Sequence, residues 1–508
     1  MNWELFVLIF YFAAVLAIGV VFFFREKSKN DKDYFLGGKS MGPWVTAMSA
    51  QASDMSAWLL MGLPGSILAF GLGQAWIGIG LALGTALNWI LMARRLRRFS
   101  EAAGDSITVP QYLTNRFASK SRALQISCAV VFLVCFTVYV ASAFVAGTSV
   151  FTALFPQMKE WLAMVIFAFI LIVYTFLGGY KAVCWTDFVQ GILMLVAVLA
   201  VPIITFFTMD LDFGALGTTL LTPDGKEAAF SGLFSASWKE IASGLAWGLG
   251  YFGMPHILVR FMSIKKPSMV KKSATVAIVW VVLALVAVTF IAVFGRTLPL
   301  GQDLVAAGSQ KMIFVELARA VFPPIIVGFL LSAIIAASMS TADSQLLVAS
   351  SSFTSDIYKP VIRKGASEKE TLWVGRIVVL VISVIAFLIA FIGGKGANAI
   401  MALVECAWAG FGSAFGSVMI LSVFWRRFTY RGALAGVIAG ALTDIVWLVL
   451  FSGVSGVFDP VVTSLGIYEL IPGFIVSMAA CVIVTLCDKE PTKEVTDIFD
   501  AATAPTED

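Results

Sequence analysis

The chain has 508 residues, of which 59% are hydrophobic and 13% charged, with a formal net charge of +4 at pH 7 and a mean hydropathy of +0.92. That balance excludes an ordinary soluble enzyme. Six cysteines without a C-x-x-C pattern and a single histidine give neither a disulfide framework nor a zinc site.

A bilayer-spanning helix needs about 20 mostly apolar residues. Stretches of that kind fall near residues 4–24, 43–70, 74–93, 124–153, 160–178, 185–208, 237–257, 274–295, 312–345, 371–392, 398–425, 432–452 and 467–487. The expectation is an all-α polytopic membrane protein with about 13 transmembrane helices, since the alternating ten-residue strands of a membrane barrel are absent. The first segment opens Met1-Asn2-Trp3-Glu4, without the basic start of a secretory signal, and reads as a retained helix.

The second segment, "SAQASDMSAWLLMGLPGS", holds Asp54 among Ser49, Gln51, Ser53 and Ser56 and then a Pro64-Gly65 pair. Irregular backbone in hydrocarbon persists only where it lines a cavity or binds something, and an intramembrane carboxylate costs roughly 2.5–3.5 kcal/mol on insertion scales. With no Lys or Arg in the segment, the partner of Asp54 is a bound cation, the free N–H groups of the restarting helix, or both. Na⁺, as a hard cation, takes oxygen ligands. In the sixth segment Asp187 sits in "CWTDFVQG", as an ion ligand, a helix-start carboxylate, or both.

The seventh segment, "ASGLAWGLGYFGMPHI", is broken like the second. Trp247 and Tyr251 share one face between glycines, which suits a compact, partly apolar solute such as a cyclic amino acid, or ordinary aromatic packing. Trp58 and Tyr139 are further candidate walls. His256, beside Pro255, reads as a helix-end polar residue rather than a proton relay. In the ninth segment, "AIIAASMSTADSQLLVASSS", Ser340 and Ser344 are four apart with Thr341 and Asp343 between them. The stripe faces a cation, or its hydroxyls bond back along the helix; paired with Asp54, the cation reading is the stronger. Glu405 and Asp444 receive no role.

Interrupted segments two and seven are five apart, the best sequence pointer to a central transport site between two repeats. Five is odd, so the second copy runs through the membrane inverted. Basic clusters at 25–39, 94–122, 260–272, 359–376 and 426–431 fall in alternate loops and set an N-out, C-in orientation, which accounts for the positive charge without a nucleic acid. The expected organisation is a transmembrane domain over 1–488, with core repeats about 43–208 and 237–425, and an acidic, disordered cytoplasmic tail over 489–508. "LGGKS" at 36–40 fails as a phosphate loop because Asp33 stands where the first glycine belongs, so no ATP-binding domain is expected.

The stretches "DYFLGGKSMGPWVTAMSAQASDMSAWLLMGLPG", "YTFLGGYKAVCWTDFVQG", "WGLGYFGMPHILVRFM", "LLSAIIAASMSTADSQLLVASS" and "RRFTYRGALAGVIAGAL" closely resemble the sodium/solute symporter family, in matching order over about residues 30–440, and within it the proline-carrying branch. The resemblance implies a LeuT-type 5+5 inverted repeat, alternating access, and Na⁺-coupled symport of L-proline across a bacterial cytoplasmic membrane. It implies a sodium site of backbone oxygens from Ala52, Met55 and Ala337 with the hydroxyls of Ser340 and Thr341. It further implies a substrate pocket of Ser56, Trp58, Tyr139, Trp247, Tyr251 and Pro255, and a second cation site or coupling group from Asp54, Asp187, Asp343 and Ser344. Asp343 departs from the family's usual small hydroxyl residue, Ser417 from a common proline, and Glu405 is unusual. A different solute, or H⁺ in place of Na⁺, are the rival transport readings. A solute sensor is disfavoured by the missing signalling domain, and a membrane enzyme by the missing nucleophile–base pair.

Overall fold

The computed structural model describes residues 3–25, 35–177, 179–223, 225, 227–393, 398–453, 460–462 and 465–505. In chain order the helices are α1 (Trp3–Arg25), α2 (Pro43–Asp54), α3 (Leu63–Phe70), α4 (Leu72–Ala102), α5 (Val109–Arg116), α6 (Ala123–Leu154), α7 (Glu160–Leu177) and α8 (Tyr180–Thr208). A two-stranded ribbon, β1 (Leu220–Leu221) with β2 (Glu227–Ala228), precedes α9 (Trp238–Gly250) and α10 (Pro255–Ser263). There follow α11 (Val270–Thr297), α12 (Pro299–Ala306), α13 (Ile313–Val321), α14 (Pro324–Ser352), α15 (Glu368–Gly393), α16 (Ala399–Phe424), α17 (Tyr430–Ser452), α18 (Leu470–Cys487) and α19 (Lys493–Thr503).

Among the described residues, 10 helices are long and apolar enough to cross a membrane. The other expected segments are α7, of 18 residues, and the two interrupted pairs α2–α3 and α9–α10. Segment nine differs from expectation: 312–345 is two helices, because the Pro323-Pro324 pair cannot continue α13 and instead opens α14.

The interior carries polar groups and the surface apolar ones. On α14, Ser340, Thr341, Asp343, Ser344 and Gln345 are all buried, while Ile377, Leu380, Val381 and Leu388 of α15 are exposed. Helix α14 packs against α1, α2, α6 and α8, and α9 lies along α4. The last pair approaches so closely that a Cβ added at Gly80, Gly84 or Gly244 would fall within 3.0 Å of facing backbone.

Two expectations are corrected. The tail over 489–508 is not disordered throughout: α19 buries Val495, Phe499 and Ala502. Phe499 meets Phe99 edge-on at 5.2 Å, and Arg116 donates to the Val495 carbonyl at 3.1 Å. Residues 506–508 lie outside the described set. Second, Arg97, Arg116 and Arg260, assigned by sequence to basic loops, lie in α4, α5 and α10 and are buried, each bonding backbone carbonyls.

Candidate functional site

The α2 helix stops at Asp54 because Met55 leaves helical geometry (φ −83°, ψ 72°). A π-helical turn over Trp58–Gly62 leads into α3, with Pro64 in its first turn. In the second half, α9 ends at Gly250, a turn over 251–253 follows, and Met254 is extended before Pro255 restarts the chain as α10. Such breaks free carbonyls that must find donors. The Tyr251 carbonyl accepts from the Asn88 side chain at 3.0 Å, that of Trp247 from the Trp408 indole at 2.8 Å, and that of His256 from Arg260 at 2.8 Å.

The Ala52 carbonyl is met from across the fold by α14. Ser340 Oγ lies 2.7 Å from it and 3.3 Å from the Ala337 carbonyl. Beside Ser340, Thr341 Oγ1 is buried without a hydrogen-bond partner. Two carbonyls and the Ser340 hydroxyl thus meet between α2 and α14, with the unpaired Thr341 hydroxyl on the next residue, oxygens of the kind that suit a hard monovalent cation. Met55, the fifth residue of the expected set, is fully buried one residue past α2.

Asp54 is 1% exposed. Its Oδ2 accepts from the Tyr251 hydroxyl at 2.6 Å, its Oδ1 is buried without a partner, and its carbonyl is 3.5 Å from the Tyr139 hydroxyl. Ser56 Oγ accepts from the Trp58 N–H at 3.5 Å. The Trp58 and Trp247 rings are 6.4 Å apart. Of the six expected pocket residues, Tyr251 therefore meets the Asp54 carboxylate and Tyr139 the Asp54 backbone, while Ser56, Trp58 and Trp247 are linked by contacts of their own; Pro255, buried at the start of α10, sets the restart.

An aromatic column extends from this group. Trp408 meets Tyr251 edge-on at 5.0 Å and stacks on Trp247 at 6.2 Å, and Tyr468 stacks on Trp247 at 5.3 Å. Beyond Trp247 a cavity of about 340 Å³ is lined by Glu240, Glu405, Tyr468 and Glu469. Glu405 thus lines this cavity, whereas Asp444 accepts from Ser413 at 3.3 Å. Trp408 and Tyr468 escaped the sequence reading because neither stands in an interrupted segment.

The set proposed for a second cation divides in two. Asp54 belongs to the tyrosine group just described. Asp187 accepts from Ser49 at 2.7 Å and pairs with Arg260 at 3.2 Å, both side chains at most 1% exposed. Arg260 also donates to Ser49 at 3.2 Å and to Ser344, and lies 5.4 Å from the centre of the Tyr180 ring. Asp343 is fully buried, and neither of its oxygens has a hydrogen-bond partner. The sequence pointed to a cation beside Asp187 and Ser344; the fold supplies one of its own, the Arg260 guanidinium. A hint was present, since Arg260 lies four residues from His256 inside an apolar, restarted helix. His256 is the second residue of α10, at the helix end where the sequence placed it, and is fully buried.

Residues 34–440 match the family model of the sodium:solute symporter family. The high-affinity proline transporter PutP of Bacillus subtilis is 43% identical over 486 residues, 96% of this chain and 98% of that protein. The sodium/proline symporter of Escherichia coli is 42% identical, over 97% of this chain and 95% of its own length. Among solved structures, a Na⁺-coupled sialic acid symporter in a substrate-bound outward-open state superposes with a TM-score of 0.74 at 19% identity, covering 97% and 99% of the two chains. The shared architecture is the LeuT-type inverted repeat that the resemblance implies.

Proposed function

Because this chain belongs to the sodium:solute symporter family, we propose that it is a multi-pass transporter of a bacterial cytoplasmic membrane that couples inward Na⁺ movement to uptake of L-proline. The carrying observation is the junction of the two repeats: Ser340 of α14 reaches the Ala52 carbonyl two residues before Asp54, and Asp54 is held by Tyr251 from the other broken helix. An ion on the Ala52, Met55, Ala337, Ser340 and Thr341 oxygens draws α2 and α14 together. The same movement fixes Asp54 and Tyr251, and with them the aromatic walls that meet the proline ring. Ion and solute are thereby coupled through one helix arrangement. The orientation that accounts for the basic loops is N-out and C-in.

Energetically one ion is enough to concentrate solute. A potential of about 100 mV contributes ~2.3 kcal/mol per charge moved, which at ~1.4 kcal/mol per tenfold supports roughly 40-fold accumulation before any sodium gradient. The ion is travelling cargo, so its oxygens must release it again. A site of neutral carbonyls and hydroxyls does so more readily than one of carboxylates.

The test is labelled L-proline uptake into proteoliposomes under an inward Na⁺ gradient or a matched K⁺ control. Wild type is expected to accumulate proline only with Na⁺, and Asp54→Ala to lose accumulation. Accumulation without Na⁺, or none under either ion, overturns the reading.

A further inference from the structure

One further ring touches both aromatic walls that α9 and its turn supply to the solute pocket. Trp408 of α16 is 1% exposed; it stacks on Trp247 at 6.2 Å with 28° between the planes and meets Tyr251 edge-on at 5.0 Å and 85°. Aromatic pairs in these geometries hold one another in place.

The same indole pins the backbone between the walls. Past the end of α9, the N–H groups of Tyr251 and Phe252 turn to the Leu249 carbonyl and that of Gly253 to Gly250, so the amides of the turn serve later carbonyls than that of Trp247. The Trp408 N–H supplies the Trp247 carbonyl with its bond at 2.8 Å. A buried carbonyl without a donor is costly, so this bond helps fix where α9 lets go. The fit is close. A Cβ added at Gly250 would overlap the indole nitrogen, and one at Gly253 would fall within 3.0 Å of the Phe411 carbonyl oxygen and the Gly416 nitrogen, atoms in and beside the π-helical turn Gly412–Gly416 of α16. The Tyr251 carbonyl is held from the first repeat by Asn88 at 3.0 Å, so side chains of both repeats fasten the turn.

We infer that Trp408 is a positioning residue that sets the ring-size selectivity of the solute site, by fixing where Trp247 and Tyr251 stand relative to Trp58 and Asp54 of the other broken segment. A pocket whose walls hold still discriminates one methylene by about 10- to 200-fold; a pocket whose walls yield does not. Without the indole N–H the turn must find another partner for the Trp247 carbonyl, and both walls shift with it. The inference rests on the L-proline reading above and extends it to the size of the ring.

The full-length protein in proteoliposomes, under an inward Na⁺ gradient, is given L-proline and its six-membered-ring homologue L-pipecolate together, each with its own label. The ratio of their kcat/KM values comes from one preparation, so the amount of active protein cancels and a merely structural defect leaves the ratio unchanged. Wild type is expected to favour L-proline about tenfold or more. Trp408→Phe keeps an aromatic ring and removes the N–H; it should bring the ratio close to unity and raise KM for L-proline more than it lowers kcat. Gly250→Ala, whose Cβ displaces the indole nitrogen, should lower the ratio in the same direction and keeps the inference testable if Trp408→Phe folds poorly. A ratio unchanged from wild type in either variant overturns the inference and leaves the proline assignment standing, and so do equal kcat/KM values in wild type. No uptake of either solute by wild type overturns the proline assignment and this inference with it.

Discussion

A phenol holds the central carboxylate. Tyr251 donates to Asp54 Oδ2 at 2.6 Å across 197 residues of chain, and hydrogen bonds to charged groups contribute about 1.5–3 kcal/mol. Tyr251→Phe keeps the ring against Trp408 and removes only that donor. If the bond orients Asp54 for transport, Na⁺-driven proline uptake should fall by about tenfold or more, with the variant as monodisperse in detergent as wild type. Uptake equal to wild type would show that Asp54 does not need the phenol. Asp54 was legible in the sequence because a carboxylate in an apolar run has few explanations. Its partner was legible only as an aromatic face: spacing placed Tyr251 beside Trp247 but could not say where its hydroxyl pointed. Arg260 is the opposite case. An arginine near a run of lysines resembles a loop residue, and only the packing of α10 against α2 carries it to Asp187.

At the scale of elements, the two interruptions were readable because Gly, Pro and Ser puncture otherwise apolar runs. The junction of α13 and α14 was not foreseen, since the apolar pattern continues through it and only a proline pair marks the corner. The contact of α4 with α9 was likewise unread. Gly80 and Gly84 face Gly244 and Gly248 at a separation that admits no side chain. Gly84→Val must push the helices apart, an overpacking cost of about 1–3 kcal/mol. A lower thermal unfolding midpoint in a thiol-probe or scattering assay is the expected result; an unchanged midpoint would mean that the helices slide without loss.

For the whole molecule, the C-terminal helix closes one end of the bundle. Its exposed anchor is Arg426, which donates to both Asp500 oxygens at 2.8 and 2.7 Å. That hydrogen bonding holds the Asp500 carboxyl below its usual 3.8. A depressed carboxylate favours the docked state fully above pH 3.8, and the contribution is lost as the pH falls through the lower, docked value. Both side chains are more than half exposed, so salt screens the pair and it contributes little. The buried anchor is Phe499 with Arg116, whose guanidinium lies 5.2 Å from the ring centre. Hydrogen exchange in α19 at neutral pH should therefore accelerate strongly in Phe499→Ala and only slightly in Asp500→Asn. The reverse order would place the anchoring in the surface ion pair.

The sequence by itself determined that the chain lives in a bilayer, where most of its membrane-spanning segments are, which two are broken, and which oxygen-bearing residues could face an ion. Each of these follows from local composition, because hydrocarbon tolerates polar groups and irregular backbone only for a reason. The tertiary structure decided which of those residues meet. It joined Ser340 to Ala52 and Asp54 to Tyr251, placed Trp408 and Tyr468 over Trp247, put an internal arginine beside Asp187, and docked a tail that composition alone read as loose. Those pairings span up to hundreds of residues, and neither periodicity nor spacing carries information over that distance; only the packing of helices against one another does.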